Sequence, residues 1–331
     1  MDKKIQWGIL GTADIAVEQV IPALLKSHYC SVTAIASRNK DRAEKAANQF
    51  NIPRYYGSYQ DLLEDAEIQV VYIPLPNHLH VEWAIKALRA GKNVLIEKPI
   101  ALNSIEAQKL VDESKKHPRL KVMEAFMYRF HPQWLKAKQL VDAGKIGELK
   151  TIQSSFSFFE DDPQSIVNSK PFGGGSLMDI GCYPISISRY LFGEEPKNVL
   201  ANIEYHPEFK VDILASGILE FEKGQSSFFC ATQLADNQQA QIFGTKGSLI
   251  FEIPFNPPKD RPTKIWLVKQ DKRTLIDFEV CDQYALQADA FALSILGNNK
   301  APIGLDDAVN NMIVIEKLKE SHRLGKRVSV A

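Results

Sequence analysis

The sequence lacks an excess of charge of either sign, a long apolar run and a paired cysteine motif. Its 331 residues carry 40 basic and 40 acidic side chains, so the composition gives no basic surface for nucleic acid or for an anionic membrane. No apolar run approaches the roughly 18–20 residues that span a bilayer, and the N-terminus has no long apolar signal region. We therefore expect neither nucleic acid nor a membrane as a partner.

The cysteines argue against two further classes of protein. Cys30, Cys182, Cys230 and Cys281 are widely scattered and form no C-x-x-C pair, so they predict neither a disulfide framework nor a zinc site. No His, Cys and carboxylate cluster has the spacing of metal ligands. The expectation is a cytoplasmic protein with reduced thiols and no metal.

The length favours two domains, and the texture of the sequence changes between them. The first 125 residues alternate short apolar runs with helical patterns such as 80–90, which indicates a parallel sheet with crossover helices. From about Gly147, strand-like segments follow one another with hairpin-like connections, which favours antiparallel pairing. We predict an α/β fold: a Rossmann doubly wound parallel sheet over residues 1–125, then an α+β domain with a large, mostly antiparallel sheet over 126–331.

The individual elements can be predicted from the same patterns. A closing helix should run from about Asp306 to Gly325, because apolar residues recur there at helical spacing. The strands of the first domain are expected at 5–10, 32–36, 70–73, 94–96 and 122–123. Those of the second domain are expected at 149–159, 198–205, 212–222, 225–234, 239–243 and 249–253.

A glycine-bearing loop, "GILGTADIA" at residues 8–16, follows the first apolar run. Gly11, Ala13 and Ala16 occupy the three positions of the dinucleotide fingerprint G-x-G-x-x-G/A, in which the first glycine makes the turn and the second lets the pyrophosphate approach. Alanine at the second position weakens the match, so the loop alone also suits a plain strand–turn–helix. Its place at the start of a βαβ pattern favours dinucleotide binding, with the helix N-terminus facing the phosphates.

The end of the second predicted strand indicates which dinucleotide is bound. An NAD site carries Asp or Glu there for the ribose 2′-hydroxyl, whereas this sequence has Ser37 and Arg38. A hydroxyl and a guanidinium can both bind a 2′-phosphate. Arg38 could instead be an ordinary exposed residue at the start of a charged helix. Given a dinucleotide site, we predict NADP rather than NAD.

Candidate catalytic residues follow the strands or flank a helix start. Lys98 stands after the fourth strand in "EKP", and Pro99 restricts its backbone to an extended or turn conformation. In "GGGSLMDIGCYP", Asp179 and Tyr183 flank the start of a helix that should run to Gly193, with Gly181 between them leaving room for a ligand. The competing interpretations are a capping box between Ser176 and Asp179 and a core tyrosine at 183.

Together these segments resemble the Gfo/Idh/MocA family of nicotinamide-dependent oxidoreductases over essentially the whole chain. The match is most specific in "WGILGTADIA", "ASRNKDRA", "YIPLPNHLH", "EKPIAL", "MEAFMYRFHPQ" and "GGGSLMDIGCYP", and is most similar to the branch of NADP-dependent xylose and dimeric dihydrodiol dehydrogenases. The resemblance implies an N-terminal Rossmann domain and a substrate pocket between two domains. It also implies a homodimer or higher homo-oligomer formed through the open face of the large sheet.

The resemblance also assigns roles to residues. Lys98 corresponds to the family's catalytic lysine, and Asp179 and Tyr183 match its D-x-x-x-H element with tyrosine in place of histidine, so either Lys98 or Tyr183 could transfer the proton. A non-catalytic sensor of nucleotide or sugar is one alternative function, and a different substrate class, such as inositol or an amino-sugar nucleotide, is the other. His80 and His131 are candidate ligand contacts, although a lone histidine is more often structural. The expected cofactor-binding residues are Gly11, Thr12, Ala13, Ile15, Ala16, Ser37, Arg38, Pro76, Asn77, His80, Glu97 and Lys98.

Overall fold

The computed structural model describes residues 4–330 and divides them into two compact units. The first unit holds the described residues up to Met127 together with Asp282–Val309. The second holds Tyr128–Cys281 together with the described residues from Asn310 onward. Residues 282–309 therefore join the first unit, whereas the sequence division at residue 126 has them in the second.

A six-stranded sheet forms the centre of the first unit. Its order is β3-β2-β1-β4-β5-β6 with every neighbouring pair parallel, which is the order of a doubly wound dinucleotide-binding fold. The sequence predicted all of these strands except β3, whose three half-buried residues give no apolar run. The strands are β1 (Ile5–Leu10), β2 (Cys30–Ala36), β3 (Arg54–Tyr56), β4 (Val70–Ile73), β5 (Asn93–Ile96) and β6 (Val122–Glu124).

Helices connect these strands and begin at polar caps. The side chains of Asn39, Ser58 and Asn103 accept hydrogen bonds from first-turn amides of three helices, which satisfies donors that a helix leaves unpaired. The helix predicted over 80–90 ends before Gly91, which is left-handed at φ +76°. The helices are α1 (Ile21–Lys26), preceded by a π-helical turn at Ile15–Val20, α2 (Lys40–Phe50), α3 (Tyr59–Glu64), α4 (His80–Arg89) and α5 (Ser104–Lys116).

A nine-stranded sheet forms the second unit. Its order is β14-β13-β12-β11-β7-β10-β9-β8-β15; β7 and β10 pair in parallel, and the other neighbouring pairs are antiparallel. The prediction of a large, mostly antiparallel sheet is confirmed. The strands are β7 (Leu149–Phe159), β8 (Asn198–Tyr205), β9 (Asp212–Glu220), β10 (Gln225–Ala231), β11 (Gln233–Gly244), β12 (Gly247–Phe251), β13 (Thr263–Lys269), β14 (Lys272–Phe278) and β15 (Val328–Ser329).

Two strand predictions in this sheet were wrong. The strands predicted at 225–234 and 239–243 have the wrong boundaries. Strand β10 ends at Ala231, and β11 runs without a break from Gln233 to Gly244, including the polar residues that were left out of both predicted strands. The hairpin of β13 and β14 was not predicted, because β14 is an edge strand with mostly exposed side chains and has no buried face to pattern its sequence.

Helices cover one face of the nine-stranded sheet and leave the other open. Helix α6 (Pro132–Asp142) precedes β7, and α7 (Cys182–Phe192) packs against β7 and β10 and ends, as predicted, at Gly193 with φ +69°. A shallow depression on the sheet is lined mainly by polar side chains of its central strands. These include Gln153, Ser155, Ser227, Phe229, Gln239 and Gln241.

The last two helices complete the fold. Helix α8 (Gln283–Leu296) packs in the first unit, where the Phe291 ring lies edge-on to Trp7 of β1 with centroids 6.1 Å apart. Burial of this aromatic pair explains why a helix so late in the chain packs in the first unit. Helix α9 (Leu305–Leu324) ends before Gly325, as the sequence predicts. None of the helices between residues 4 and 330 combines the length and apolarity needed to cross a bilayer.

Candidate active site

The loop after β1 has the geometry that the fingerprint requires at its first glycine. Gly11 has φ +122°, a conformation that side-chain-bearing residues rarely adopt. Its N–H donates to the carbonyl of Ala36 at 2.8 Å, which ties the loop to the end of β2. A Cβ atom at Gly11 would lie 3.3 Å from Cδ2 of Leu75. The tight turn predicted at Gly11 is therefore present.

The segment after this loop begins with a π-helical rather than an α-helical turn. The carbonyl of Ala13 accepts hydrogen bonds from the N–H groups of Ala16 and Val17, and Ala16 is fully buried. Asp14 precedes the turn, and its side chain makes no capping hydrogen bond to the first amides. Thr12, Ala13 and Ile15 are partly exposed around the same loop.

The end of β2 presents an exposed guanidinium beside a buried hydroxyl. Ser37 is buried, and its hydroxyl accepts the N–H of Asn39 at 3.2 Å, which starts the turn into α2. Arg38 is exposed. Ser37 therefore shapes the turn, while Arg38 carries the charge that a 2′-phosphate needs.

Tyr59, which the sequence prediction missed, lies beside both features. Its hydroxyl oxygen is 3.9 Å from the place where a Cβ of Gly11 would stand. Burial raises the pKa of Tyr59, whereas the nearby Arg38 guanidinium acts in the opposite direction. No sequence motif marks Tyr59, because the crossover from β3 into α3 is what brings it to this loop.

The His80 side chain links two loops of the first unit. It is fully buried, with Nδ1 2.8 Å from the carbonyl oxygen of Pro99 and Nε2 2.6 Å from that of Leu75. Burial lowers the pKa of His80 to about 4, so the ring is neutral at pH 7 and donates to one carbonyl at a time. Both nitrogens thus face protein carbonyls instead of a cofactor. The other residues expected in this loop, Pro76 and Asn77, are partly exposed.

Lys98 stands two residues beyond β5, the strand that neighbours β4 in the sheet. The Glu97 carboxylate accepts the Tyr72 phenol at 2.6 Å and the backbone N–H of Lys98 at 3.3 Å. The Lys98–Pro99 peptide bond is cis. Lys98 thus follows a buried strand and is held by a carboxylate that β4 itself orients.

Tyr284 of α8 is a second residue that the sequence prediction missed. Burial raises its pKa well above the usual value, the negative charge of Glu97 raises it further, and the positive charge of Lys98 lowers it. The phenol therefore lies within electrostatic range of both residues. The sequence could not reveal this, because it depends on α8 packing in the first unit.

In the second unit, Asp179 lies in a π-helical turn, Leu177–Gly181, that leads directly into α7 and Tyr183. The capping-box interpretation of Asp179 is wrong, because the Ser176 hydroxyl donates to Asp212 at 2.8 Å and makes no capping bond of its own. The α-helix begins at Cys182, two residues before Pro184 as expected, but the π-helical turn extends the helical segment back to Leu177.

Aromatic rings surround Tyr183 on several sides. The Tyr183 side chain is 4% exposed, and the rings of Tyr128, Phe156 and Phe255 lie with centroids 5.7, 5.6 and 5.4 Å from its own. The hydroxyl of Tyr128 donates to Ser186 of α7 at 2.7 Å. Tyr183 is therefore buried in an aromatic cluster, as the interpretation of a core tyrosine expects.

Two other expectations in this unit change. The space at Gly181 is filled by the protein, because a Cβ there would lie 2.8 Å from Sγ of Cys230; it does not leave room for a ligand. His131 is buried, caps α6 through Nδ1, and has Nε2 3.3 Å from Sγ of Cys281. Burial lowers the pKa of His131 to about 4, and its two nitrogens serve the fold. Among the described residues, no cluster of His, Cys and carboxylates is arranged to hold a metal ion.

Comparison with known proteins gives matches along most of the chain. The oxidoreductase family with an NAD-binding Rossmann fold matches residues 5–126, and the GFO/IDH/MocA C-terminal domain matches residues 134–250. The uncharacterized oxidoreductase ORF334 of Rhizobium meliloti is 44% identical over 97% of this chain and 98% of its own length. The D-xylose 1-dehydrogenase (NADP(+)) 2 of Haloferax volcanii is 34% identical over 98% of this chain and 100% of its own.

A solved structure gives the same result. KijD10, a 3-ketoreductase from Actinomadura kijaniata crystallised in complex with NADP and TDP-benzene, has a TM-score of 0.90 at 30% identity, covering 96% of this chain and 98% of that one. The family resemblance expected from the sequence motifs is confirmed. The matched regions and the identities of these relatives show that the chain belongs to the GFO/IDH/MocA family of oxidoreductases.

Proposed function

We propose that this protein is an NADP-dependent oxidoreductase that transfers hydride between the nicotinamide and a carbinol or carbonyl carbon of a sugar, polyol or dihydrodiol. One observation carries the proposal most directly. Gly11 follows β1 and Lys98 follows β5, and these strands flank β4 in a parallel sheet, so both residues lie at its carboxyl edge. Ligands of doubly wound sheets bind at this edge.

The residues of the first unit fit NADP. Gly11 has no side chain to block a ligand from the backbone amides that follow it, and those amides suit the pyrophosphate. The exposed guanidinium of Arg38, whose charge opposes the effect of burial on the pKa of the nearby Tyr59, suits the 2′-phosphate because a guanidinium binds phosphate oxygens in bidentate fashion. The absence of a carboxylate at Ser37 and Arg38 removes the partner that the ribose 2′-hydroxyl of NAD prefers.

When bound, the nicotinamide supplies or accepts the hydride, and the side chains manage the proton. We propose that Lys98 and Tyr183 serve the substrate hydroxyl, with Tyr183 presenting a phenol fixed by its aromatic neighbours. Asp179, four residues earlier on the same helical segment, would orient these two groups and offset the positive charge of the cationic form. A proton-transfer group of this kind contributes on the order of 10²–10⁴-fold in rate.

Two substitutions can show whether Tyr183 or Lys98 transfers the proton. Tyr183→Phe keeps the packed ring and removes only the hydroxyl, whereas Lys98→Met removes the amine and keeps a chain of similar length. If the phenol transfers the proton, Tyr183→Phe lowers kcat by at least 10²-fold. A much smaller loss in Tyr183→Phe than in Lys98→Met assigns the transfer to the lysine.

We further propose a homodimer formed through the open face of the nine-stranded sheet. Support comes from the depression there, in which Phe229 lies among glutamine and serine side chains, because an aromatic side chain in a polar rim is typical of interface centres. Phe229→Glu should convert the dimer into monomer in sedimentation velocity. An unchanged sedimentation coefficient would exclude this face.

We also propose a cytoplasmic location. All four cysteines lie in the described residues and are thiols instead of disulfides, which suits a reducing compartment. Fractionation of the source cells with an antibody against the protein tests the proposal.

The function is tested by a panel of aldoses, polyols and dihydrodiols, each offered with NADP and NAD while the reduced-nicotinamide absorbance is followed. We expect turnover with at least one class, and a higher kcat/KM for NADP than for NAD. Tight NADPH binding without turnover on any member, in either direction, would favour the alternative of a non-catalytic sensor.

A further inference from the structure

A buried carboxylate caps the helical segment that carries Asp179 and Tyr183. Asp212 is the first residue of β9 and is 2% exposed. Its Oδ2 atom accepts the N–H of Leu177 at 2.6 Å and the hydroxyl of Ser176 at 2.8 Å. Both donors stand at the N-terminus of the turn Leu177–Gly181, so the cap comes from a strand 35 residues further along the chain.

This cap replaces one that the segment does not provide for itself. The first amides of a helical segment need acceptors from outside. Ser176 stands at the capping position, but its backbone is already helical and its side chain makes no capping hydrogen bond. The Asp212 carboxylate accepts one of these amides and places a negative charge at the positive end of the helix dipole.

The surrounding chain is shaped to admit this carboxylate. Gly175 has φ +112°, and a Cβ atom there would overlap Oδ1 of Asp212. At the other end of the turn, Gly181 packs on Cys230, whose thiol also donates to the Ser176 hydroxyl at 3.7 Å. The segment is therefore fixed to the sheet at both ends, by a carboxylate and by a close backbone–sulfur contact.

We propose that Asp212 is a positioning residue for hydride transfer, acting through Ser176 and Leu177 to fix Asp179 and Tyr183; this inference rests on the proposed function. Tyr183 is six residues beyond Leu177 on a continuous helical segment. Backbone hydrogen bonds link successive turns of a helix, so a shift at the capped end is transmitted toward the phenol. A displacement of about 1 Å can lower a rate by about 10²-fold.

A series of substitutions tests the proposal in the full-length protein. Asp212→Ala removes both hydrogen bonds, and we expect kcat to fall by about 10–100-fold while the Kd for NADPH changes less than about twofold, because the proposed cofactor residues lie in the first unit. Asp212→Asn should keep most of the activity, since one amide oxygen can accept both donors. Ser176→Ala, which removes one donor and leaves the Leu177 bond, should lower kcat by a few-fold. The control is Asp236→Ala, an exposed aspartate on β11 of the same sheet.

Hydrogen–deuterium exchange provides a readout that does not need turnover. Asp212→Ala should accelerate exchange in peptides covering 176–183 and leave the other strands of the sheet unchanged. Wild-type kcat in folded Asp212→Ala, or equal losses in Asp212→Asn and Asp212→Ala, would overturn the proposal. If Asp212→Ala fails to fold, the proposal is tested with Ser176→Ala instead, and a wild-type kcat in that variant would overturn it. If wild-type protein turns over no substrate, the proposed function fails. Independently of turnover, unchanged exchange at 176–183 in Asp212→Ala would contradict the role of Asp212.

Discussion

Gly181 lies directly against Cys230: a Cβ atom built on Gly181 would be 2.8 Å from Sγ of Cys230, which is closer than packed atoms allow. The same Cβ would lie 3.1 Å from Cδ2 of Leu177 and 3.3 Å from the carbonyl oxygen of Ser176. Cys230 is fully buried, so it has little freedom to move away. The glycine between Asp179 and Tyr183 is therefore required by the sheet beneath it.

Gly181→Ala should accordingly destabilise the protein, and a second substitution should relieve it. Overpacking of this kind costs about 1–3 kcal/mol, which thermal unfolding detects as a lower Tm. Cys230→Ala alone removes a small buried group and should cost about 1 kcal/mol. In the double variant the two changes compensate, so its Tm should exceed that of Gly181→Ala. Losses that simply add would show that the Cβ does not meet the sulfur.

Arg38 should discriminate between the two nicotinamide cofactors. Arg38→Ala removes the guanidinium that we propose binds the 2′-phosphate; a hydrogen bond to a charged group is worth about 1.5–3 kcal/mol, so the Kd for NADPH should rise by at least about tenfold. The Kd for NADH should change less than about threefold. Lys45→Ala, at an exposed cation of α2, the helix that follows Arg38, is the matched control and should leave both constants unchanged. Fluorescence titration measures the Kd of each variant for each cofactor. Equal losses of affinity for NADPH and NADH in Arg38→Ala would contradict the assignment.

His131 should make the protein acid-sensitive. Its pKa is about 4 in the folded state and about 6.5 in the unfolded chain, so the unfolded state binds more protons between these values. The stabilisation is fully present above pH 6.5 and is lost as the pH falls to 4, by about 3 kcal/mol in all.

Substitution by asparagine isolates this contribution. His131→Asn retains an acceptor for the N–H of Gln133 and removes the titrating ring, so its unfolding free energy should fall less than that of wild type between pH 6.5 and 4. The control substitution is His206→Asn, at a partly exposed histidine whose Nδ1 also accepts backbone N–H groups. Chemical denaturation at a series of pH values gives the comparison, and parallel curves for His131→Asn and wild type would rule out the assignment.

The sequence predicted the elements whose pattern is local. The buried strands β1, β2, β4 and β5 are short apolar runs, and Gly11 and Lys98 immediately follow two of them, so their place at one sheet edge could be expected. The start of α7 two residues before Pro184 was predictable, because proline is tolerated in the first turn of an α-helix, whereas the π-helical turn that precedes α7 was not predicted. Strand β14 could not be found, because it is exposed and has no apolar face.

Features that depend on distant segments could not be predicted. Tyr59 reaches Arg38 only through the crossover after β3, and Tyr284 depends on α8 packing in the first unit. Ser176 and Asp179 have the spacing of a capping box, yet a carboxylate from β9 competes for the Ser176 hydroxyl and provides the cap. In each case a tertiary contact outweighs the local pattern.

The most direct test of the account is single-turnover hydride transfer in Lys98→Met. Wild-type and variant protein are mixed with NADPH and with the best substrate of the panel, and nicotinamide absorbance is followed after NADPH affinity has been measured separately. We predict that Lys98→Met binds NADPH with a Kd within a few-fold of wild type and transfers hydride at least about 10²-fold more slowly. Hydride transfer at the wild-type rate in Lys98→Met would contradict the central claim that this lysine serves the reacting hydroxyl.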